Sequence, residues 1–174
     1  MGQEPQNVIS PADVLKKEKQ EDNSNDDINM NDEKLTKRQL LEKELKDIGC
    51  YINMDTDNDD QMNRTYQGEH FIIGCSADSP YLFIYDIAWY SADIDDVDNF
   101  SLVRQAVNAC NFNNTSTLLY TIDEEKKCVN VHTRQWALFG SFIPNIGDYL
   151  RARLEDSFAQ HHNFFNKMEE LRRQ

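Results

Sequence analysis

The chain has 174 residues, a length that suits one domain with a buried core together with a tail. It carries 18 Lys and Arg against 31 Asp and Glu, and its formal net charge is -13. Because this charge repels phosphate backbones and anionic lipids, and no cluster of Lys and Arg offsets it locally, the composition argues against nucleic-acid and membrane-surface partners.

The apolar runs and the cysteines predict a cytoplasmic protein. The most apolar run, residues 81–90, is far shorter than the about 20 residues that cross a bilayer. The first residues, Met-Gly-Gln-Glu-Pro-Gln, lack the basic and then apolar pattern of a secretory signal. The four cysteines are widely spaced and include no CxxC, which favours buried free thiols over disulfides or zinc ligands.

Composition divides the chain into two parts. Residues 1–34 hold few large apolar side chains and many polar and charged ones, so we predict a disordered acidic tail. Residues 35–174 are predicted to form a single α+β domain. Its first helix is expected over residues 37–48, since Thr36 and Gln39 form a capping box and Gly49 supplies the stop.

The remaining elements follow from hydrophobic periodicity. Strand patterns cover residues 62–67, 69–75 and 81–90, and a helix follows the acids of residues 93–98. A hairpin over residues 117–122 and 128–138 precedes a long C-terminal helix. The order α-β-β-β-α-β-β-α predicts an α+β fold, with helices packed on an antiparallel five-stranded sheet.

Alternation along the third strand predicts which face of this sheet is buried. The aromatic row of that strand is expected against the helices, and it consists of Tyr81, Phe83, Tyr85, Ile87 and Trp89. The opposite, mixed face is then the accessible one, and contiguous exposed apolar area marks an interface. The predicted partner-binding residues are Ile72, Leu82, Ile84 and Leu119 on that face, with Phe164 beside the stripe of the last helix. The alternative is that the last helix folds back and covers this face.

No pattern predicts catalysis, a cofactor or a metal. The acidic residues 55–60 resemble the start of a calcium loop, but Asp60 stands where Gly is required and Tyr66 where Glu is required. His161 and His162 are adjacent on a helix, so their side chains diverge and cannot easily share an ion. The glycines never cluster into a phosphate-binding loop, and no nucleophile motif is present. An enzyme assembled from scattered residues stays open as an alternative.

Four segments resemble the YbjN-like family. Its paired strands are similar to Arg64-Thr-Tyr-Gln-Gly-Glu-His-Phe-Ile-Ile-Gly74 and Tyr81-Leu-Phe-Ile-Tyr85. Its helix end, with asparagines before a strand and an acidic turn, is similar to Val107-Asn-Ala-Cys-Asn111 and the residues 118–131 that follow. The resemblance spans about residues 35–154.

This resemblance implies a fold like that of type III secretion chaperones, often dimeric, and protein binding or regulation rather than catalysis. No family active site carries over to this chain. We therefore expect a non-enzymatic protein-interaction module, chaperone-like or regulatory, that binds a protein partner through the exposed sheet face or the last helix. The alternative is a self-associating structural or stress-related homodimer domain.

Overall fold

A computed structural model describes residues 35–52, 57–112 and 114–174 of the chain. These ranges hold α1 (Lys37–Asp47), β1 (Gln61–Tyr66), β2 (Glu69–Gly74), β3 (Tyr81–Asp93), α2 (Val97–Cys110), β4 (Thr117–Asp123), β5 (Cys128–Leu138) and α3 (Ile146–Arg172). The predicted α+β class and element order are confirmed. The predicted tail, residues 1–34, and residues 55–56 of the acidic run lie outside the described residues.

The five strands form one antiparallel sheet in the order β1-β2-β3-β5-β4. The β1–β2 hairpin turns at Gln67 and Gly68, whose φ values of 50° and 93° suit a tight two-residue reversal. Outside β1, Tyr51 exchanges two backbone hydrogen bonds with Thr65, at 3.0 and 2.8 Å. This bridge covers part of the β1 edge, whereas β4 forms the other edge of the sheet.

At β3, the helices cover the face that carries Leu82 and Ile84, and not the aromatic row that was predicted to lie against them. Leu82 and Ile84 are buried there, 0% and 1% exposed, whereas Tyr81 is 48% exposed on the other face. The predicted assignment of the β3 faces is therefore wrong for Tyr81, Phe83 and Tyr85, whereas Trp89 lies against α3 as predicted. Strand register explains it, because buried Phe71 and Ile73 of β2 pair with Asp86 and Ile84 of β3. Both faces of β3 are apolar, so alternation alone did not distinguish them.

A bulge interrupts β3 where it pairs with β5. Asp86 pairs with Thr133 and Tyr90 pairs with Val131, so three residues of β3 stand opposite His132 alone. Ala88, in the middle of the bulge, has a left-handed φ of 54°. The bulge turns Trp89 toward α3, where its ring lies 5.2 Å from that of Phe164.

The core consists of two hydrophobic clusters separated by a polar seam. One cluster joins α1, β1, β2 and the first part of α3, and the other joins α2, β4 and the last part of α3. In each of β3, β5 and α3, the buried side chains are apolar within the two clusters and polar in the stretch between them. The polar seam comprises Asp86, Thr133, Gln135, Ser157, Gln160 and His161.

Helix α3 packs along both clusters, so its apolar stripe is largely inside the protein. The apolar side chains Leu150, Leu154 and Met168 of α3 are buried, and Phe165 is 45% exposed. Phe164, predicted to be accessible, is completely buried, which is a second correction. The rings of Trp89 and Tyr90 enclose it from the bulge, at 5.2 and 5.1 Å.

Candidate functional site

The face of the sheet away from the core clusters carries a band of exposed aromatic side chains. Trp136 is 62% exposed, Tyr81 is 48% exposed and Leu138 is 40% exposed. The Phe83 ring lies between its neighbours, 5.0 Å from Trp136 and 5.8 Å from Tyr85. We call Tyr81, Phe83, Tyr85, Trp136 and Leu138 the aromatic band. A contiguous apolar surface of this kind is typical of a macromolecular interface.

Strand register assembles the band from two segments far apart in sequence. Tyr81 pairs with Leu138, and Phe83 pairs with Trp136 across the β3–β5 ladder. Gly74 of β2 pairs with Phe83 on its other side, and a Cβ at Gly74 would lie 3.3 Å from the Phe83 Cβ. The missing side chain therefore leaves space beside the Phe83 ring.

The structure brings two of the five predicted partner-binding residues to this open face. Ile72 pairs with Tyr85, and Leu119 pairs with His132, and both side chains are partly exposed. Leu82, Ile84 and Phe164 are buried on the helix-covered side and are not available to a partner.

Sequence reasoning missed the aromatic band because it assigned the β3 aromatic row to the core. A signal in β5 could have identified the face. With Val129 and Val131 pointing inward, alternation places Trp136 on the same side as the polar Asn130 and Arg134. The polar residues of this row indicate that it faces solvent, and Trp136 lies in the same row. Because Phe83 pairs with Trp136, Phe83 lies on the same solvent-facing side.

A cavity of about 400 Å³ lies at one end of the band. Its floor is the row formed by Gly74, Phe83 and Trp136, and we call it the rim cavity. The remaining lining residues are Asp60, Gln61, Cys75, Ser76, Ser79 and Tyr81. Aromatic rings and polar loop residues therefore meet at one site.

His132 anchors the bulge on the open face. Its Nδ1 accepts a hydrogen bond from the Ala88 N–H at 3.0 Å, and its Nε2 lies 2.7 Å from Thr121 Oγ1. Since Nδ1 acts as an acceptor, the imidazole is neutral and Nε2 carries the proton. Burial lowers the pKa of His132, against an opposing effect of the Asp86 carboxylate. The arrangement favours a structural role for this histidine.

A second candidate for chemistry is the buried pair formed by Asp86 and His161. Asp86 Oδ2 lies 2.9 Å from His161 Nε2, and the Trp89 ring stacks on the imidazole with centroids 4.1 Å apart. Asp86 is 0% exposed and His161 is 8% exposed. Burial, with a contribution from Asp86, raises the pKa of nearby Glu69. Because α3 and Trp89 cover the pair, a substrate has no direct access to it, and the pair serves packing within the polar seam.

The cysteines are free thiols, and Cys50, Cys75 and Cys110 are buried. Burial raises the pKa of Cys50 to about 11 and also raises the pKa of Cys75 and Cys110. These thiols are protonated at neutral pH and make poor nucleophiles. Within residues 35–52, 57–112 and 114–174, no group of three or more His, Cys, Asp or Glu side chains is placed to hold a metal ion.

The acidic residue Asp57, part of the calcium-like run, has a structural role instead. Its carboxylate accepts two hydrogen bonds from Arg64, at 3.1 and 2.8 Å, and one from the Asn63 N–H at 2.7 Å. Arg38 lies 3.6 Å away on the other side. Despite the opposing effect of burial, these bonds and charges lower the pKa of Asp57. It therefore joins α1 to β1.

Among the helices that the structure describes, none is both long and apolar enough to cross a membrane. The chain has no match among protein-family models, curated proteins or solved structures. The resemblance to YbjN-like proteins thus stays a prediction from the residues.

Proposed function

We propose that this chain is a non-enzymatic protein-interaction module, chaperone-like or regulatory, that binds a protein partner through the aromatic band. The observation that carries the proposal is the exposure of Trp136, Tyr81 and Leu138 side by side on a sheet face away from the three described helices. Aromatic side chains dominate the energetic centres of protein interfaces because they bury large areas at low entropic cost.

The ionisable groups of the described residues support a binding role over catalysis. The Asp86–His161 pair is enclosed in the polar seam, and His132 is committed to holding the bulge. The buried thiols have raised pKa values. By contrast, the largest exposed side chain of the sheet, Trp136, has no partner but its neighbours in the band.

Affinity capture from the source cells tests this function when three forms of the chain are compared quantitatively. The wild type, a Tyr81→Ala/Trp136→Ala double variant and a Phe112→Ala control are used as bait. Phe112 is 87% exposed at the end of α2, so its removal matches the loss of exposed aromatic surface away from the band. We expect the wild type and the control to capture the same proteins and the double variant to lose them.

Equal capture by all three baits contradicts the proposal. Circular dichroism and thermal unfolding of each bait show whether the double variant keeps its fold, which is expected since both side chains are exposed.

The β4 edge favours self-association as a second candidate function. The Asn111 side chain binds both backbone groups of Leu118, donating to its carbonyl at 2.8 Å and accepting from its N–H at 2.7 Å. In an antiparallel ladder both backbone groups of one residue point to the same side, so Leu118 faces away from β5. By the same alternation, Tyr120 and Ile122 direct their N–H and C=O groups to the outer edge.

This edge is self-complementary. A second copy of β4, placed antiparallel with Thr121 on the two-fold axis, pairs Tyr120 of each copy with Ile122 of the other. That arrangement forms four backbone hydrogen bonds and places two threonines opposite each other, which is a favourable cross-strand pair. The net charge of -13 on each copy opposes dimerisation, so the dimer fraction should rise when salt screens the repulsion.

Analytical ultracentrifugation of wild type, Ile122→Pro and Ile122→Val tests the homodimer. Proline removes the outward N–H without breaking the bonds to β5, whereas valine keeps the N–H and most of the side chain. We expect dimers in the wild type and Ile122→Val and a monomer in Ile122→Pro. A monomeric wild type at high salt and about 100 μM chain excludes this candidate.

A further inference from the structure

Arg134 gives the open face a positive charge beside the aromatic band. It lies two residues before Trp136 in β5, and it pairs with Tyr85 of β3 on one side and with Thr117 of β4 on the other. Its side chain is exposed. Because residues two apart in a strand lie about 7 Å from each other on the same face, the guanidinium and the Trp136 indole can contact the same partner segment.

The charge of Arg134 is not neutralised inside the protein. None of the ion pairs or cation–π contacts among residues 35–52, 57–112 and 114–174 includes its guanidinium. By contrast, Arg38, Arg64 and Arg153 each pair with a carboxylate. Burial raises the pKa of Tyr85, and the positive charge of Arg134 opposes this rise. An exposed guanidinium without an internal carboxylate keeps its N–H donors for another molecule.

The acidic side chains that the strands direct to this face lie far from Arg134. In the five strands, all of which the structure describes, only Asp93 and Asp123 place a carboxylate on the open side. Both pair with Cys128, six residues before Arg134 in β5, which corresponds to a distance of about 20 Å. Each of these carboxylates also accepts a backbone hydrogen bond at its own turn, at 2.8 and 3.0 Å.

The local charge at the centre of the open face therefore differs in sign from that of the whole chain. Charges are screened over about 8 Å at physiological salt, so the acids elsewhere that produce the net charge of -13 act only weakly at Arg134. A carboxylate that approaches the centre of this face meets a guanidinium at short range and no strand carboxylate. A nucleic-acid backbone would need several cations, whereas this position offers one.

We propose that the open face receives an acidic segment of the protein partner, with an Asp or Glu carboxylate paired to Arg134 and an apolar side chain in the rim cavity. This inference rests on the proposed function and names the chemistry of the partner segment. The floor of the rim cavity is the row of Gly74, Phe83 and Trp136, which is next to the row of Arg134. An extended segment that follows β5 therefore presents the two side chains two residues apart. Arginine, tryptophan and tyrosine, which are common at the energetic centres of interfaces, meet at this place.

Two peptides that differ in one charge test this inference with the full chain. Acetyl-Leu-Ser-Glu amide and acetyl-Leu-Ser-Gln amide have nearly the same shape, but only the first carries a carboxylate. Both are titrated at constant ionic strength while the Arg134 Nε–H and the Trp136 indole N–H are followed by NMR. We expect the glutamate peptide to shift both resonances saturably, with an affinity about two- to fivefold above that of the glutamine peptide, as for an exposed ion pair. The Trp89 indole, bound to Thr133 Oγ1 at 3.0 Å, serves as the internal reference that stays unchanged.

Two variants locate the carboxylate and a third controls for them. Arg134→Gln removes the charge, Arg134→Lys keeps it, and Arg104→Gln removes an exposed charge from α2. We expect Arg134→Gln to bind the two peptides equally, Arg134→Lys to retain a preference for the glutamate peptide, and Arg104→Gln to behave like the wild type. Because Arg134 is exposed and makes no internal ion pair, its replacement should leave the fold intact, which the same spectra check.

Equal affinities of the wild type for the two peptides, or an unchanged preference in Arg134→Gln, overturn the inference. Movement of the Trp136 indole when the chain alone is concentrated also overturns it, because a second copy then occupies the face. These outcomes leave the proposed function standing if the Tyr81→Ala/Trp136→Ala bait still loses its captured proteins, because the band then acts as an apolar surface only. Equal affinities and unchanged capture together overturn both.

Discussion

Among neighbouring large apolar residues of β3 and β5, some are buried in the core and others are exposed to solvent. Leu82 is 0% exposed in the core, whereas Trp136, whose pair Phe83 follows Leu82 in sequence, is 62% exposed. The sequence predicted two alternating apolar rows on β3 correctly, but it did not predict which row faces the helices. That choice depends on the register with Phe71 and Ile73, a contact between strands that no local pattern encodes.

Stability measurements test this reversal of faces directly. Leu82→Ala should lower the free energy of unfolding by about 2–5 kcal/mol, because it leaves a cavity among packed side chains. Trp136→Ala should change it by less than about 1 kcal/mol, since the ring is mostly in solvent. Chemical denaturation of both variants gives the two numbers. A larger loss for Trp136→Ala than for Leu82→Ala would refute the assignment.

His132 makes the stability depend on pH. Since burial lowers its pKa in the folded state, the folded protein binds fewer protons there than the unfolded chain does. The stabilising contribution of neutral His132 is fully present above the pKa of the unfolded chain, about 6.5. This contribution is lost as the pH falls below that value. His132→Asn keeps an acceptor for the Ala88 N–H but does not titrate.

The expected result is a steeper loss of stability in the wild type than in His132→Asn between pH 7.5 and pH 5.5. Denaturation curves at several pH values measure it, and titrations shared by both proteins cancel in the comparison. Parallel pH profiles would show that His132 does not contribute in this way.

At the level of elements, local signals were sufficient wherever the stabilising contacts are local. The capping box of Thr36 and Gln39 is present at 3.2 and 2.9 Å, and α1 ends at Asp47, next to the predicted Ile48. The β3 bulge was not predicted, because Ala88 is neither Gly nor Asn and its left-handed backbone is held by His132, 44 residues further along the chain. Such long-range support has no signature in a short window.

Ala88 offers a test of the strain stored in this bulge. A left-handed backbone costs a non-glycine residue roughly 1–2 kcal/mol, and glycine removes this cost. Part of the resulting stabilisation is offset because glycine has more conformational freedom in the unfolded chain. Ala88→Gly should therefore stabilise the protein by about 0.5–1 kcal/mol, whereas β-branched Ala88→Val should destabilise it by more than about 1 kcal/mol. Thermal and chemical unfolding check both signs. Destabilisation by glycine would show that the bulge is not strained at Ala88.

At the scale of the whole molecule, the sequence predicted one accessible face of the sheet but assigned the residues of β3 to that face incorrectly. Ile72 and Leu119 were predicted to be accessible and lie on the open face, but the aromatic band beside them required the strand order β1-β2-β3-β5-β4 and its register. The rim cavity depends further on loops around Asp60 and Ser79, which lie apart in sequence. Sites built from several strands are specified by tertiary contacts and are therefore hidden from pattern analysis.

Asn111 limits how much of the β4 edge is open to other chains. Asn111→Ala should lower the free energy of unfolding by about 1–3 kcal/mol, because it leaves two backbone groups of buried Leu118 without their partner. It should also increase self-association, since the open edge then extends from Tyr120 to Leu118. Denaturation and sedimentation velocity measure the two effects. A variant that is less stable but shows unchanged association would show that the backbone of Leu118 takes no part in the contact between copies.

The polar seam gives the interior a modular character. Leu45 lies in the cluster on one side of it and Val107 in the cluster on the other, and α3 runs through both. Leu45 and Val107 belong to separate clusters, so the energetic effects of substituting these two residues should add. Substitutions far from the polar seam in one cluster should therefore need no compensating change in the other, in evolution or in the laboratory, whereas β3, β5 and the long final helix have to suit both.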